Sequence, residues 1–447
     1  MDREFKDSGI EWIGKIPKEW KVVPFKAYFS TGKGLSFTKA DLAPTGKAVV
    51  SYGQIHSKQN TGTRLDDFLI RFIPNSLTVN GESSRMNKGD FIFADTSEDL
   101  EGCGNSVYVD RETELYAGYH SVTAKSKVQQ ANRFFAYYFL TPCWRSQVRS
   151  RVTGIKVYSI SQSIINQTSI IVPPLPEQER IADYLDKKCG EIDELIALQE
   201  QMIAQLTDYK QSVITEAVTK GLNPDTPLVP SGVEWIEQIP MDWKIKPFKE
   251  VFRTGKGLSF TKADLVKEGV PVISYGQIHS KQNCGVRIES NLIRFVPNEI
   301  AENGVSSKVH VGDFIFADTS EDYEGCGNCV YIDKEIGLYA GYHSVIARSK
   351  RKESNSYLAY LFLTNCWRSQ IRCRVSGIKV FSISQSIIKQ TSLLLPPMEE
   401  QHAISTYLDK KSSEIDSLIA LKQQKIETLK DYKKSVIYEA VTGKTVI

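Results

Sequence analysis

One displacement of 223 positions maps this chain onto itself without a gap: Trp12 recurs as Trp235, Lys39 as Lys262, Gln178 as Gln401 and Tyr209 as Tyr432. TGKGLSFTKADL at Thr31–Leu42 returns at Thr254–Leu265, and SYGQIHSKQN at Ser51–Asn60 returns at Ser274–Asn283. GDFIFADTSED, YAGYHSV, CWRSQ and SISQSII also recur. Whatever one half folds into, the other must fold into as well. A period this long marks duplication of a whole unit and excludes a short-repeat solenoid. Each copy holds a globular part of about 170 residues, an ordinary domain size, and ends in a long helical stretch.

That stretch runs from Pro173 to Gly221 in the first copy. Pro176 suits a first helical turn, where its missing N–H costs nothing. Glu177 and Glu179 oppose the positive end of the helix dipole. Apolar residues fall at Ile181, Leu185, Ile192, Leu195, Met202, Leu206, Tyr209 and Val213, in the threes, fours and sevens of one apolar seam. Gly221 and Pro224 are stop signals. About 44 residues make a rod of roughly 66 Å. The second copy opens at Pro396-Pro397-Met398-Glu399-Glu400-Gln401 and repeats the seam at Ile404, Leu408, Ile415, Leu418, Leu429, Tyr432 and Val436. Lys425 stands where Met202 stood, which implies a seam that is not a closed two-helix coil.

The globular parts read as α+β. AVVSYGQI, DFIFADT, NSVYVD and SIIV are short β-branched or aromatic runs bounded by Gly, Asn and Asp, as strands are. Asn132–Ser150 and Asn355–Arg372 read as helices. The expected domains are 1–174 and 223–397, with long helices over 175–222 and 398–447. Connectivity places the two globular parts at opposite ends of one rod. The second helix then runs back antiparallel to the first, giving a pseudo-two-fold dumbbell.

Composition excludes little. An apolar fraction of 41% and a charged fraction of 24% are those of an ordinary soluble protein. The start, MDREFKDSG, lacks a hydrophobic signal core, and no apolar run reaches membrane-span length. Eight cysteines in so long a chain suggest reduced thiols, so a cytoplasmic location is expected. The net charge of +3 requires any nucleic-acid surface to be local.

Catalytic signatures are missing from the sequence. It has no G-x-x-x-x-G-K-[ST] loop, and Gly32-Lys33-Gly34 lacks the third glycine of a dinucleotide fingerprint. It has no Asp/Asn-Pro-Pro-aromatic stretch of the adenine methyltransferase kind. Cys326 and Cys329 have metal-ligand spacing, but the twin is Cys103 with Ser106, and a structural zinc needs four ligands; no metal site is expected. Asp95, Glu98, Asp99 and Glu101 form either a hydrogen-bonded acidic loop or part of a nuclease site, and no nearby lysine completes the latter.

Positive charge is more telling. Cys143–Lys156 carries Arg145, Arg149, Arg151 and Lys156 without an acid, and Cys366–Lys379 carries Arg368, Arg372, Arg374 and Lys379 likewise. Such clusters, beside Trp144 and followed by Tyr158, suit phosphate contacts; a solvated basic face is the alternative. Lys33, Ser36 and Lys39, with Tyr52, Gln54 and His56, offer hydrogen-bonding groups among glycines. Lys256, Ser259 and Lys262, with Tyr275, Gln277 and His279, repeat them. Gln can read adenine and Lys guanine, but turn and capping chemistry explains the same residues. His120 and His343 are base contacts or buried histidines. Trp12, Trp20, Trp235 and Trp243 read as core anchors.

GIEWIGKIPKEW, PPLPEQERIADYLDKK and EIDELIALQEQMIAQLTDYKQSVITEAVTKG, with their second copies, closely resemble the DNA-specificity subunit of type I restriction-modification systems. The resemblance covers the whole chain. It implies a non-catalytic subunit with two target-recognition domains, each reading one half of a split DNA target. The long helices would space the readers and dock two methyltransferase subunits. Ile192, Leu195, Met202, Leu206 and Tyr209, with Ile415, Leu418, Leu429 and Tyr432, are the candidate seam and docking residues. The partners would carry the chemistry: S-adenosylmethionine on the methyltransferase, which methylates adenine at N6, and ATP with Mg²⁺ on the restriction subunit. Family members often carry two different readers; these two are nearly alike, which implies a palindromic target. The competing readings are a type IIB-like specificity subunit, a self-contained nuclease built on the acidic loop, and an architectural DNA-bridging protein.

Overall fold

A computed structural model describes residues 3–302, 304–350 and 354–447. The chain forms two compact units, Met1–Glu200 with Gln424–Ile447, and Gln201–Gln423. The boundaries cut both long helices, Leu175–Lys220 and Met398–Val441. Each unit therefore takes a globular part, half of that part's own helix and half of its twin's.

In the first unit, Ser106–Tyr108, Phe91–Ala94, Ser121–Ser126 and Phe29–Lys33 form an antiparallel four-stranded sheet in that order. A second sheet orders Arg71–Ile73, Lys47–Val50, Leu115–Ala117 and Arg85–Met86, with Lys47–Val50 and Leu115–Ala117 parallel. The core between sheet and helices is aromatic: Phe25, Phe29, Phe91, Phe93, Phe139 and Trp144 are fully buried, and the Phe139 and Trp144 rings lie 4.7 Å apart. Ile181, Leu185 and Cys189 of the first long helix and Val436, Ile437, Ala440 and Val441 of the second join that core. The second unit repeats the plan with Phe248, Phe252, Phe314, Phe316, Phe362 and Trp367, closed by Ile404 and Leu408 and by Ile214, Ala217 and Val218.

Two local readings of the sequence need correction. AVVSYGQI is not one strand: Lys47–Val50 is extended, but Tyr52–Ile55 is a helical turn. Ser51 and Gln54 form a capping box there, which satisfies the first free N–H groups of a helix and overrides the β-branched run before it. Asn132–Ser150 is not one helix but two, Asn132–Tyr138 and Pro142–Arg149. Asn355–Arg372 divides likewise into Asn355–Leu363 and Asn365–Arg372; the break is the extended Thr141 and Thr364, and Pro142 suits the restart in the first copy.

The junction motif is structural. The Trp20 indole N–H donates to Glu177 at 2.9 Å, and Trp243 repeats the bond to Glu400 at 3.0 Å. Gln178 is buried; its amide donates to the Pro173 carbonyl at 2.8 Å and its oxygen accepts from Ala131 N–H at 3.1 Å. At the far end of the first long helix, Gly221 takes φ +79° and stops it.

The seam also differs from its expected line. Ile192, Ile415 and Leu429 are buried and Leu206 half-buried, but Leu195, Met202, Tyr209, Leu418 and Tyr432 are exposed. The inward stripe instead follows Ile196, Ile203 and Leu206, repeated as Ile419, Ile426 and Leu429. Two apolar stripes share each helix, and a period between 3.5 and 3.6 does not separate them in sequence. Lys425 thus replaces an outward methionine and disturbs no seam. Within the first unit the helices are antiparallel, with Lys433 bound to Asp193 at 2.7 Å; in the second, Lys210 holds Asp416 at 2.7 Å. Among the described residues, no helix is long and apolar enough to cross a membrane.

Candidate nucleic-acid interface

A cleft of about 770 Å³ opens in the first unit between Lys33–Phe37, Asp95–Thr96, Tyr119–Val122 and Ser159–Ser163. The second unit has its twin, about 630 Å³, between the corresponding segments. The wall depends on close packing. A Cβ on Gly34 would lie 2.0 Å from the Gly118 carbonyl oxygen, so glycine at 34 serves close approach of two chain segments, not flexibility.

His120 and His343 are singular. Among the described residues they are the only non-glycines at positive φ, both at 52°. That conformation costs an ordinary side chain about 1 kcal/mol or more, and it recurs at both equivalent positions. It turns the imidazole outward, where it is 59% exposed. Nδ1 lies 3.2 Å from Asp95 Oδ1, and the Asp95 N–H donates to the His120 carbonyl at 3.2 Å. Tyr52 and Tyr119 flank the ring at 5.7 and 6.0 Å. His343, Asp318, Tyr275 and Tyr342 repeat the arrangement. Of the two readings left open for these histidines, exposure excludes the buried one. Asp95, assigned from sequence to the acidic loop, is the partner that this reading missed.

Other candidates serve the domain itself. Both ring nitrogens of His56 are engaged, Nε2 with the Thr96 carbonyl at 2.8 Å and Nδ1 with the Asn105 amide at 3.2 Å; His279 is held the same way. The Gln54 and Gln277 side-chain oxygens accept from the Ser51 and Ser274 N–H groups, which leaves neither free for a bidentate adenine contact. Lys33, Ser36, Lys39, Lys256, Ser259 and Lys262 are exposed, and Tyr52 and Tyr275 half-exposed.

The arginine cluster is largely inward. Trp144 is fully buried, and its indole N–H donates to Thr168. Arg145 donates to the Phe139 carbonyl at 3.1 Å, and burial, with Arg149 nearby, pushes its guanidinium down to about 10. Arg149 donates to the Glu101 carbonyl at 2.6 Å and Arg151 to that of Gln147 at 2.6 Å. In the second unit Arg368 binds the Phe362 carbonyl, Arg374 that of Gln370, and Arg372, only 8% exposed, pairs with Glu324 at 3.0 Å. Arg149 and Arg372 therefore hold the acidic loops against their helices, Arg145 and Arg368 bind the carbonyls of Phe139 and Phe362 on the preceding segment, and the four do not form an open basic face. Arg151, Lys156, Arg374 and Lys379 remain exposed, with Tyr158 half-exposed beside them.

The acidic loop is hydrogen-bonded: Asp99 Oδ1 accepts from the Gly102 N–H at 2.6 Å, and Asp95 is committed to His120. Among the described residues, no three His, Cys, Asp or Glu side chains converge as metal ligands. Cys326 and Cys329 are buried, and burial pushes the Cys329 thiol up to about 12.

The family model described as the type I restriction modification DNA specificity domain matches this chain twice, at residues 17–208 and 240–431. The chain belongs to that family. Each match takes in one globular part with its cleft and most of the following helix. The MjaVIII specificity subunit of Methanocaldococcus jannaschii is 24% identical over 341 residues, covering 74% of this chain and 76% of that one. The type I EcoKI specificity subunit of Escherichia coli is 21% identical over 444 residues, 96% of this chain and 90% of that one. Two solved structures share the specificity-subunit fold. A chain from work on assembly and conformational transition of the type I R-M system matches with a TM-score of 0.70 at 16% identity, covering 96% and 99% of the two chains. The HsdS subunit of Thermoanaerobacter tengcongensis matches with a TM-score of 0.50 at 15% identity, covering 96% and 98%.

Proposed function

We propose that this chain is the non-catalytic, sequence-reading subunit of a type I restriction-modification complex, and that each unit reads one half of a split duplex target. The observation that carries it is the duplicated cleft: His120 with Asp95, Tyr52 and Tyr119, and His343 with Asp318, Tyr275 and Tyr342, in the same unusual backbone conformation. Strain held twice at an open cleft supports a function in binding. Imidazole and phenol groups can hydrogen-bond base edges, and the exposed Lys33, Lys39, Arg151 and Lys156 can anchor the backbone that frames them.

Like readers read like words. Inverted on the duplex, the two units would recognise the same half-site on opposite strands, so the target is a split palindrome with an adenine in each half. The outward residues Leu195, Leu198, Met202 and Tyr209, and Leu418, Leu421 and Tyr432 on the second helix, suit the docking of two methyltransferase subunits. Those partners supply S-adenosylmethionine; restriction subunits with ATP and Mg²⁺ complete the complex. The relatives' names favour a type I system over the type IIB-like alternative.

Co-expression tests the assignment. With its cognate methyltransferase, this chain should co-purify and methylate plasmid DNA. Alone with Mg²⁺ it should leave plasmid intact, and clean cutting by the chain alone would restore the nuclease reading.

A further inference from the structure

Each cleft has a loop at its edge whose apolar tip the function above does not use. Tyr158–Ser159 pairs with Thr96–Ser97, and both Thr96 and Ser159 line the cleft. The loop before it, Gly154-Ile155-Lys156-Val157, is closed by a bridge between Thr153 and Ser159. Gly154 sits at φ +149°, and a Cβ there would lie 2.1 Å from the Val157 carbonyl oxygen, so the tip is a tight, built turn. At that tip Ile155 is 97% exposed, and its twin Ile378 is 99% exposed. Ile155 is four residues from the cleft wall, a reach of at most about 14 Å.

A single exposed apolar residue is unremarkable, so the comparison between copies decides. Val79, Met241, Val305 and Val311 are more than half exposed; their twins are Glu302, Lys18, Glu82 and Lys88. Outside the outward face of the long helices, where Leu198 and Leu421, and Tyr209 and Tyr432, are exposed and unchanged, these four exposed apolar positions have drifted to charge between the copies. Ile155 and Ile378, and beside them Val157 and Val380, have not. The surroundings name the partner's charge. From Leu115 to Pro176 the first copy has no Asp or Glu, and Arg151 and Lys156 stand exposed around the tip. An apolar point among uncompensated cations, beside a base-reading cleft, fits the stacked interior of a polyanion.

We propose that Ile155 and Ile378 are wedges: each enters a groove of duplex DNA beside its cleft and partly unstacks one base step, while Lys156 and Lys379 meet the flanking phosphates. The inference rests on the DNA-reading function proposed above. Truncating either isoleucine removes no packing, so the variants fold.

The test uses the complex with its methyltransferase and duplexes carrying the methylated word, with 2-aminopurine placed at one position at a time. Wild-type binding should raise the fluorescence at one step beside each half-site. Ile155→Ala with Ile378→Ala should abolish that rise and weaken binding about tenfold or more at an unchanged salt slope. Lys156→Gln should instead reduce the slope. Binding without a fluorescence rise, or a rise that survives both alanines, overturns the wedge. So does a variant that loses the methyltransferase while DNA contacts persist, which would make the tip a protein contact. A wild-type complex that binds no duplex fails the reading function itself, and the wedge with it.

Discussion

Gln178→Leu should destabilise the first unit strongly while leaving its DNA surface intact. The substitution conserves volume, so it isolates hydrogen bonding from cavity formation. It strands two backbone groups: the Pro173 carbonyl, now 2.8 Å from the amide, and the Ala131 N–H, now 3.1 Å from the side-chain oxygen. Each buried group left unpaired costs about 1–3 kcal/mol, so the sum is about 4 kcal/mol. For a unit of this size that lowers the melting midpoint by about 10 °C. Gln401→Leu should act alike in the second unit, since Gln401 binds the Pro396 carbonyl at 2.9 Å and the Ser354 N–H at 3.0 Å. Calorimetry on the full chain measures both. Well below the midpoint each variant should bind DNA as the wild type does. Midpoints within about 1 °C of wild type, or an affinity loss without a stability loss, would refute the view that this glutamine fixes the junction.

Three further outcomes are expected. His120→Gly should leave stability unchanged or raise it by up to about 1 kcal/mol, because glycine accepts φ 52° freely, yet weaken specific binding about tenfold in a titration. Burial raises the Asp90 carboxyl above the usual range, against the hydrogen bond from Asn87; a folded-state value above the unfolded one means stability falls as pH rises above about 4. Asp90→Asn should remove that fall from a pH series of denaturation midpoints. Leu198→Glu on the outward face of the first long helix should change stability by less than about 0.5 kcal/mol but reduce methyltransferase retention on a column.

The long helices were legible because periodicity and stop signals agree over many turns: Gly221 ends the first where the sequence places its end. The duplication was legible because it needs no physics beyond comparison. What sequence could not give depends on contacts far along the chain. The Ser51–Gln54 cap looks like the end of a strand until its hydrogen bonds are seen. Arg145 and Arg149 look like a basic face, but their donors turn inward to the carbonyls of Phe139 and Glu101. His120 carries no mark of its positive φ; the one available signal was that YAGYHSV stands unchanged in both copies. Leu195 and Met202 match the helical period as well as Ile196 and Ile203 do, and only packing tells which stripe turns inward.

The central claim is that two like readers recognise one word twice, and methylome sequencing tests it most directly. In cells carrying this chain and its methyltransferase, methylated adenines should fall in a single split motif whose halves are reverse complements of each other. Two unlike half-sites would contradict the account.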